Sequence, residues 1–213
     1  MLRFTMSKDP LCIAFNPKSA NLNHLCVQGS LGSLIGVIEQ GKEIYKKKLH
    51  YGFVGGRSIS INLILYSNHI AEALDGYASV DSIYLYFATA FDKVDHNILL
   101  YKLYNIIGVS SDLIGWLKSH LSSRSLSVRI TENFSTSFTA SSGVPQGSHL
   151  GPLLFILFIN DVNGQLKISI ILIHADDIKL YLRFDTFYGQ IFLQKDLETI
   201  TELSNHNRLV LNW

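Results

Sequence analysis

Cysteine is nearly missing from this 213-residue chain, which carries only Cys12 and Cys26. They form no CxxC pair and have no histidine at zinc spacing, so neither a disulfide framework nor a zinc site is indicated. A reducing, intracellular compartment, cytoplasm or nucleus, is the expectation. Charge is scarce too: 18 basic residues against 17 acidic leave a net charge of +1. A whole-chain field that draws nucleic acid is thereby excluded, and any such binding must rest on local patches. One basic run, Lys42, Lys46, Lys47 and Lys48, is a candidate patch and reads equally well as a solvated helix face. Long apolar runs are also absent; the stretch 153–159 falls far short of the roughly 20 residues a membrane helix needs. Asp9 and Pro10 interrupt the opening where a secretory signal would be apolar. No membrane association is expected, and no internal repeat or low-complexity tract occurs.

The chain does have apolar residues enough for one sizeable core, at 47%. Residues 1–49 are the least readable segment; Leu34, Ile35, Ile38 and Ile44 permit a helix there. Ser58 is placed to cap a helix whose apolar positions Ile59, Leu63, Tyr66, Ile70 and Leu74 recur at helical spacing until Gly76 stops it. Just before it, Gly52, Gly55 and Gly56 beside Arg57 read either as a phosphate-facing loop or as an ordinary loop before a helix. Residues 80–87 alternate as a strand, with Ile83 and Leu85 on one face and Tyr84 and Tyr86 on the other. Asp95 caps a predicted helix that buries Ile98, Leu99, Leu100, Leu103, Ile106 and Ile107 and stops at Gly108. A second helix over 111–121 turns Leu113, Ile114, Trp116 and Leu117 inward. The alternation over 125–140 reads as two short strands joined around Glu132 and Asn133. Gly143, Pro145 and Gly147 then set a rigid turn, with Pro152 in the first turn of a helix. A last helix over 187–203 has Ile191, Leu197, Ile200 and Leu203 as its apolar face.

One stretch organises the rest. Residues 168–184, ISIILIHADDIKLYLRF, place two apolar, β-branched runs around His174, Ala175, Asp176 and Asp177, the pattern of a β-hairpin with two carboxylates at its tip. Two readings stand side by side. Aspartate bends backbone cheaply, so the pair serves as turn chemistry; alternatively, adjacent carboxylates on a rigid tip offer oxygen ligands to a hard divalent cation. The order of elements gives an α+β fold, an antiparallel sheet with helices packed on one face and the other face free for a ligand.

Three blocks, FATAFDKVDH at 87–96, SSGVPQGSHLGPLLFILFINDV at 141–162 and HADD at 174–177, resemble the palm motifs of reverse transcriptases of non-LTR, LINE-like retrotransposons, and GFVGGRS at 52–58 resembles the finger motif upstream of them. The resemblance covers roughly 50–213, in the right order and spacing. It implies a polymerase palm with partial fingers in 50–213, and 1–49 as a possible remnant of fingers. It also implies template-directed addition of dNTP to a primer 3′-OH by two-metal phosphoryl transfer, with RNA template, DNA primer and two Mg²⁺ ions as partners. On that resemblance Asp176 and Asp177 would be the catalytic, metal-holding pair. Phe91 would gate against a ribose 2′-OH, and the carbonyl of Phe87 would complete a metal shell. Gln146 and Gly147 would lie along the incoming nucleotide, and Arg57 and His174 would face nucleic acid. Without the motifs, Phe91 reads as core packing, Gln146 and Gly147 as turn residues and Arg57 as a solvent-facing residue.

The departures are as informative as the matches. The family places its first catalytic carboxylate five residues before the Phe of AFD, and here that residue is Tyr86. A phenol with a pKa of about 10 is neutral at pH 7 and a poor Mg²⁺ ligand. Asp81 cannot substitute: its side chain points to the opposite face of the strand and lies about 16 Å away. His174 stands where an aromatic usually precedes ADD, Val54 where an Arg is usual, and the chain ends at Trp213 before a thumb is read. An impaired polymerase is the expectation, with a non-catalytic nucleic-acid-binding remnant, a non-functional fragment and a maturase-type relative as alternatives.

Overall fold

A computed structural model describes residues 51–52, 57–122, 124–148, 150–186 and 188–212. The expectations for 1–49, for Val54, Gly55 and Gly56, and for the basic run at 42–48 lie outside the described residues.

Helix α1 spans Ile59–Asp75, and Ser58 Oγ accepts from Ile61 N at 3.3 Å, as its capping role requires. Strand β1 (Ser79–Phe87) follows, then a 3₁₀ turn (Ala90–Asp92), α2 (His96–Asn105) and α3 (Ser111–Leu121). Asp95 caps α2 through the amides of Asn97 and Ile98. The alternating segment forms four short pieces rather than two strands: β2 (Arg124–Leu126) pairs with β5 (Phe138–Ala140), and β3 (Arg129–Ile130) with β4 (Asn133–Phe134). Thr131 turns the inner pair with φ at 54°. Helix α4 (Leu150–Ile159), the short α5 (Val162–Gln165), β6 (Ile170–His174), β7 (Asp177–Phe184), α6 (Gly189–His206) and β8 (Leu211–Asn212) complete the order.

The main sheet runs β6-β7-β1-β8, with every pairing antiparallel. Its period-two alternation sends Leu85, Phe87, Ile171, Ile173, Ile178, Leu180 and Leu182 into one core with α2, α3, α4 and α6. Helix α4 sits at the centre: every residue from Leu154 to Ile159 is buried, so it is apolar all round, as an interior helix must be. Across the sheet, α1 covers part of the other face, where Tyr51, Leu172 and Tyr181 make a second small core with Leu65 and Tyr66. The second face of the sheet, expected to be free, is therefore open only beyond α1. Among the described residues, no helix is long and apolar enough to cross a membrane.

Three expected apolar faces are corrected. Helix α1 buries Asn62 and Ala73 while Ile59, Leu63 and Leu74 are exposed. Its contact side carries Tyr66, whose hydroxyl bonds Ser82 Oγ at 2.7 Å, and His69, whose Nδ1 bonds the Tyr181 hydroxyl at 2.8 Å. Polar partners on the sheet thus select a face that an apolar count does not. In α2, Ile106 lies past the last helical residue and is 66% exposed; the buried positions are Leu99, Leu103 and Lys102. In α6, Leu193, Ile200, Asp196 and Ser204 face inward, with Leu197 and Leu203 half-buried, and Ile191 is exposed. Asp196 is inward because its carboxylate accepts from the amides of Lys167, Ile168 and Ser169. Burial alone pushes its pKa up, but those bonds outweigh it and hold it below the usual range.

Candidate active site

The hairpin tip is a two-residue turn. His174 pairs with Asp177, leaving Ala175 and Asp176 between them. Ala175 takes φ at 56°, the positive value that tight hairpin turns demand at a central position. Residues 51–52 brace it from outside: Tyr51 N donates to Ile173 O at 2.8 Å, and a Cβ on Gly52 would come within 2.6 Å of Ala175 N. The glycine of the finger-like motif is therefore a close-approach residue against the turn. Arg57 stacks its guanidinium over the Tyr51 ring at 5.2 Å, next to the same tip.

Strand register then brings the remaining parts together. Tyr86 pairs directly with Asp177 on one side and with Asn212 on the other. Phe87 N donates to Asp176 O at 3.1 Å, so the backbone at 86–87 is fixed to both aspartates. Tyr86 is 47% exposed, and with Tyr84, His174, Asp177 and Lys179 it lines a cleft of about 470 Å³ closed on the far side by Ile59 and Leu63 of α1. Lys179 lies over the rings of Tyr66 and Tyr84, at 3.9 and 5.1 Å, which makes the cleft floor cationic and aromatic at once. Tyr84 is pushed up to about 12, first by its hydrogen bond with Tyr66 and then by burial, so its phenol stays neutral. His174 is half-buried, and its Nδ1 is buried without a hydrogen-bond partner among the described residues.

Asp177 is held above the ordinary carboxylate range, first by desolvation and then by the charge of Asp176, with His174 pulling the other way. The sign follows: a carboxyl whose folded pKa is raised costs stability once it ionises, so the cost is complete above the folded pKa and is lost as pH falls from that value to the unfolded one. In metal-free buffer at pH 7, Asp177→Asn is expected to stabilise the fold. Solvent screening at so exposed a group keeps the gain to about 0.5 kcal/mol or less. The gain should fade as pH falls through the folded value, which urea unfolding at several pH values would show. Two carboxylate groups suit a hard divalent cation. Among the described residues, however, no three His, Cys, Asp or Glu side chains gather as a metal cage. Asp81 opens instead onto a different cleft with Gln190 and Gln194.

A second cluster lies one turn downstream. Phe91 stacks on Phe155 at 4.6 Å, and Phe155 meets Phe87 edge-on at 6.5 Å, so the core-packing reading of Phe91 describes its contacts. The loop 142–147 is bound to the 3₁₀ turn: Val144 N donates to Phe91 O, Gly143 N to Val94 O, and Gln146 Nε2 to Asp92 Oδ1 at 2.8 Å. Gly143 has φ at 84°, and a Cβ there would lie 2.8 Å from both Asp92 Cα and Asp92 O. Gly143→Ala is expected to cost about 2–4 kcal/mol, combining left-handed backbone with a backbone clash. Gly147→Ala, with φ at 79° but nothing within 4 Å of a Cβ, should cost only about 1 kcal/mol. Denaturant midpoints of the two variants would separate these terms.

Asp92 and Arg124 were not singled out from sequence as parts of a site. Arg124 Nη2 donates to Gly143 O at 2.6 Å and Ser142 O at 3.3 Å; burial lowers its pKa, and the Asp92 charge opposes that without cancelling it. No sequence signal marks Arg124, which sits in a short exposed-looking strand.

The family model described as "Reverse transcriptase (RNA-dependent DNA polymerase)" matches residues 45–213. This chain belongs to the reverse transcriptase family. The domain is 31% identical over 137 residues to a "Probable RNA-directed DNA polymerase from transposon BS" of Drosophila melanogaster, covering 61% of this chain and 15% of that protein. It is 35% identical over 112 residues to the corresponding X-element protein of the same species, at 53% and 12% coverage. Against the "RNA-directed DNA polymerase from mobile element jockey" of Drosophila funebris it is 33% identical over 138 residues, at 62% and 15%. These relatives make it a LINE-like reverse transcriptase domain that spans only a small part of their length. Among solved structures it superposes on a Candida tropicalis telomerase in complex with a fragment of telomeric RNA, with TM-score 0.63 at 13% identity over 86% of this chain and 32% of the other. A Candida albicans telomerase gives 0.62 at 12% identity, over 84% and 34%. At such identities the likeness establishes the fold alone, a polymerase palm.

Proposed function

We propose that this reverse transcriptase domain supplies the palm and part of the fingers, over 50–213, of an RNA-directed DNA polymerase of a non-LTR element. Its substrates are an RNA template, a DNA primer and dNTP. Support comes above all from the register that sets position 86 directly against Asp177 at a two-aspartate tip. Template RNA is further suggested by the telomerase neighbour, whose structure contains telomeric RNA.

Phosphoryl transfer asks a protein for positioning and charge compensation more than for covalent chemistry. Asp176 and Asp177 would hold divalent metal, Mg²⁺ by family expectation, which when bound lowers the pKa of the attacking hydroxyl and screens the leaving pyrophosphate. Phe91, braced on Phe155, offers a rigid apolar wall where a 2′-OH would have to fit. Gln146 and Gly147 present an amide and an open backbone beside it. Arg57 and His174 flank the tip on the nucleic-acid side. The donor set fits one metal position better than two, because a phenol and not a carboxylate occupies position 86. We therefore infer that polymerisation by the natural chain is impaired.

Primer extension on an RNA template in Mg²⁺, with the chain carrying Tyr86→Asp, tests the site. Extension that disappears with Asp176→Ala supports it; extension that survives Asp176→Ala overturns it. Tyr86 itself favours a second reading, a domain that grips an RNA–DNA hybrid without extending it. That reading expects salt-sensitive hybrid binding and no incorporation in either form.

A further inference from the structure

Asp92 is an exposed carboxylate next to Phe91, and its contacts run to the loop that carries Gln146. Its Oδ1 accepts from Gln146 Nε2 at 2.8 Å, and its main-chain oxygen accepts from Ser142 Oγ at 2.8 Å. Gly143 lies so close to its backbone that no side chain fits between them. The neighbouring carbonyls of Phe91 and Val94 take the amides of Val144 and Gly143, each at 2.8 Å. From outside, Arg124 Nη2 and His96 Nε2 converge on Gly143 O at 2.6 and 2.8 Å. The turn carrying Phe91 and the loop carrying Gln146 are therefore one unit, joined at two main-chain bonds, one close approach and two side-chain bonds, the Ser142 hydroxyl on Asp92 O and the Gln146 amide on Asp92 Oδ1.

The Gln146 bond has a chemical direction. A carboxylate oxygen accepts, so Gln146 presents its NH₂ to Asp92 and keeps Oε1 as the acceptor of the amide. Left untied, an exposed glutamine samples several rotamers and both orientations of its amide. We propose that Asp92 is a positioning residue for nucleotide selection, one that orients the Gln146 amide and locks its loop to the Phe91 turn without touching substrate or metal. The proposal rests on the polymerase reading given above and extends it to a residue outside the metal site.

The test compares Asp92→Ala, Asp92→Asn, Gln146→Ala and the double variant Asp92→Ala/Gln146→Ala, all in the full chain carrying Tyr86→Asp. Steady-state primer extension gives KM and kcat for dNTP. Loss of a charge-assisted bond should raise KM about tenfold or more in Asp92→Ala, with kcat changed less than threefold. Asp92→Asn, which keeps an acceptor but also offers a donor, should recover part of that loss. The double variant should match Gln146→Ala alone, because both act through one amide. Hydrogen exchange at the Gly143 and Val144 amides reads the lock independently of activity and should accelerate at least severalfold in Asp92→Ala. An unchanged KM, or additive effects in the double variant, overturns the proposal, as does unchanged exchange. If the Tyr86→Asp parent extends no primer while exchange still accelerates, the polymerase reading fails and nucleotide selection falls with it, leaving Asp92 as a structural lock.

Discussion

Replacing Tyr86 with aspartate is expected to raise primer extension on an RNA template by about a thousandfold, if a restored carboxylate is worth about 4 kcal/mol in the transition state. The register is what makes so large an effect reasonable, since position 86 pairs directly with Asp177 and its backbone neighbour bonds Asp176 O. Little packing is lost, because Tyr86 is half exposed at the cleft. The same change has a cost that supplies a second readout. A third carboxylate opposite Asp177 places like charges in a cross-strand pair, worth roughly 0.5–1 kcal/mol of destabilisation without metal. Melting temperature of Tyr86→Asp should therefore fall in chelator and recover on addition of Mg²⁺ more than that of the natural chain. Equal extension rates for the two forms would sink the argument that Tyr86 limits this domain. Tyr86→Asn, neutral and similarly small, separates a charge effect from mere opening of the cleft.

Lys102→Met is expected to lower stability by about 3 kcal/mol. Lys102 is buried, and its ammonium donates to Phe158 O at 2.6 Å, Asp161 Oδ2 at 2.8 Å and Asn207 Oδ1 at 2.6 Å. Those bonds tie α2 to the end of α4 and to the residue following α6. Burial lowers its pKa, and the bond and charge of Asp161 oppose that shift without cancelling it. Methionine removes the desolvation cost of the charge but leaves a buried amide oxygen and a carbonyl without a donor, and the second effect wins. A drop in melting temperature of roughly 6–12 °C would express it in a chain of this size. A change under about 1 kcal/mol in urea unfolding would show that the acceptors find other donors, and the network would then not be a structural tie.

The hairpin, the cap at Ser58, helix α3 and the α4 segment were legible in sequence because each depends on local pattern. Alternating β-branched residues around Asp176, a hydroxyl one residue before an apolar repeat, and glycine at φ-demanding turns are near-neighbour signals. The faces of α1 and α6 were not legible, because His69 and Asp196 turn inward for the sake of partners far along the chain. The count of apolar residues pointed instead to Ile59, Leu74 and Ile191, which the fold leaves exposed. Asp92 illustrates the same limit: its motif neighbours were readable, but its bond to Gln146 spans 54 positions.

By itself, the sequence determined which family the chain resembles, the two aspartates at the tip, and the phenol five residues before Phe91, since motif order and strand alternation are properties of the chain alone. The tertiary structure decided that Tyr86 stands directly against Asp177, that Gln146 is held by Asp92, and that α1 covers part of the second face of the sheet. Those facts depend on strand register and long-range side-chain pairing, which no local spacing encodes.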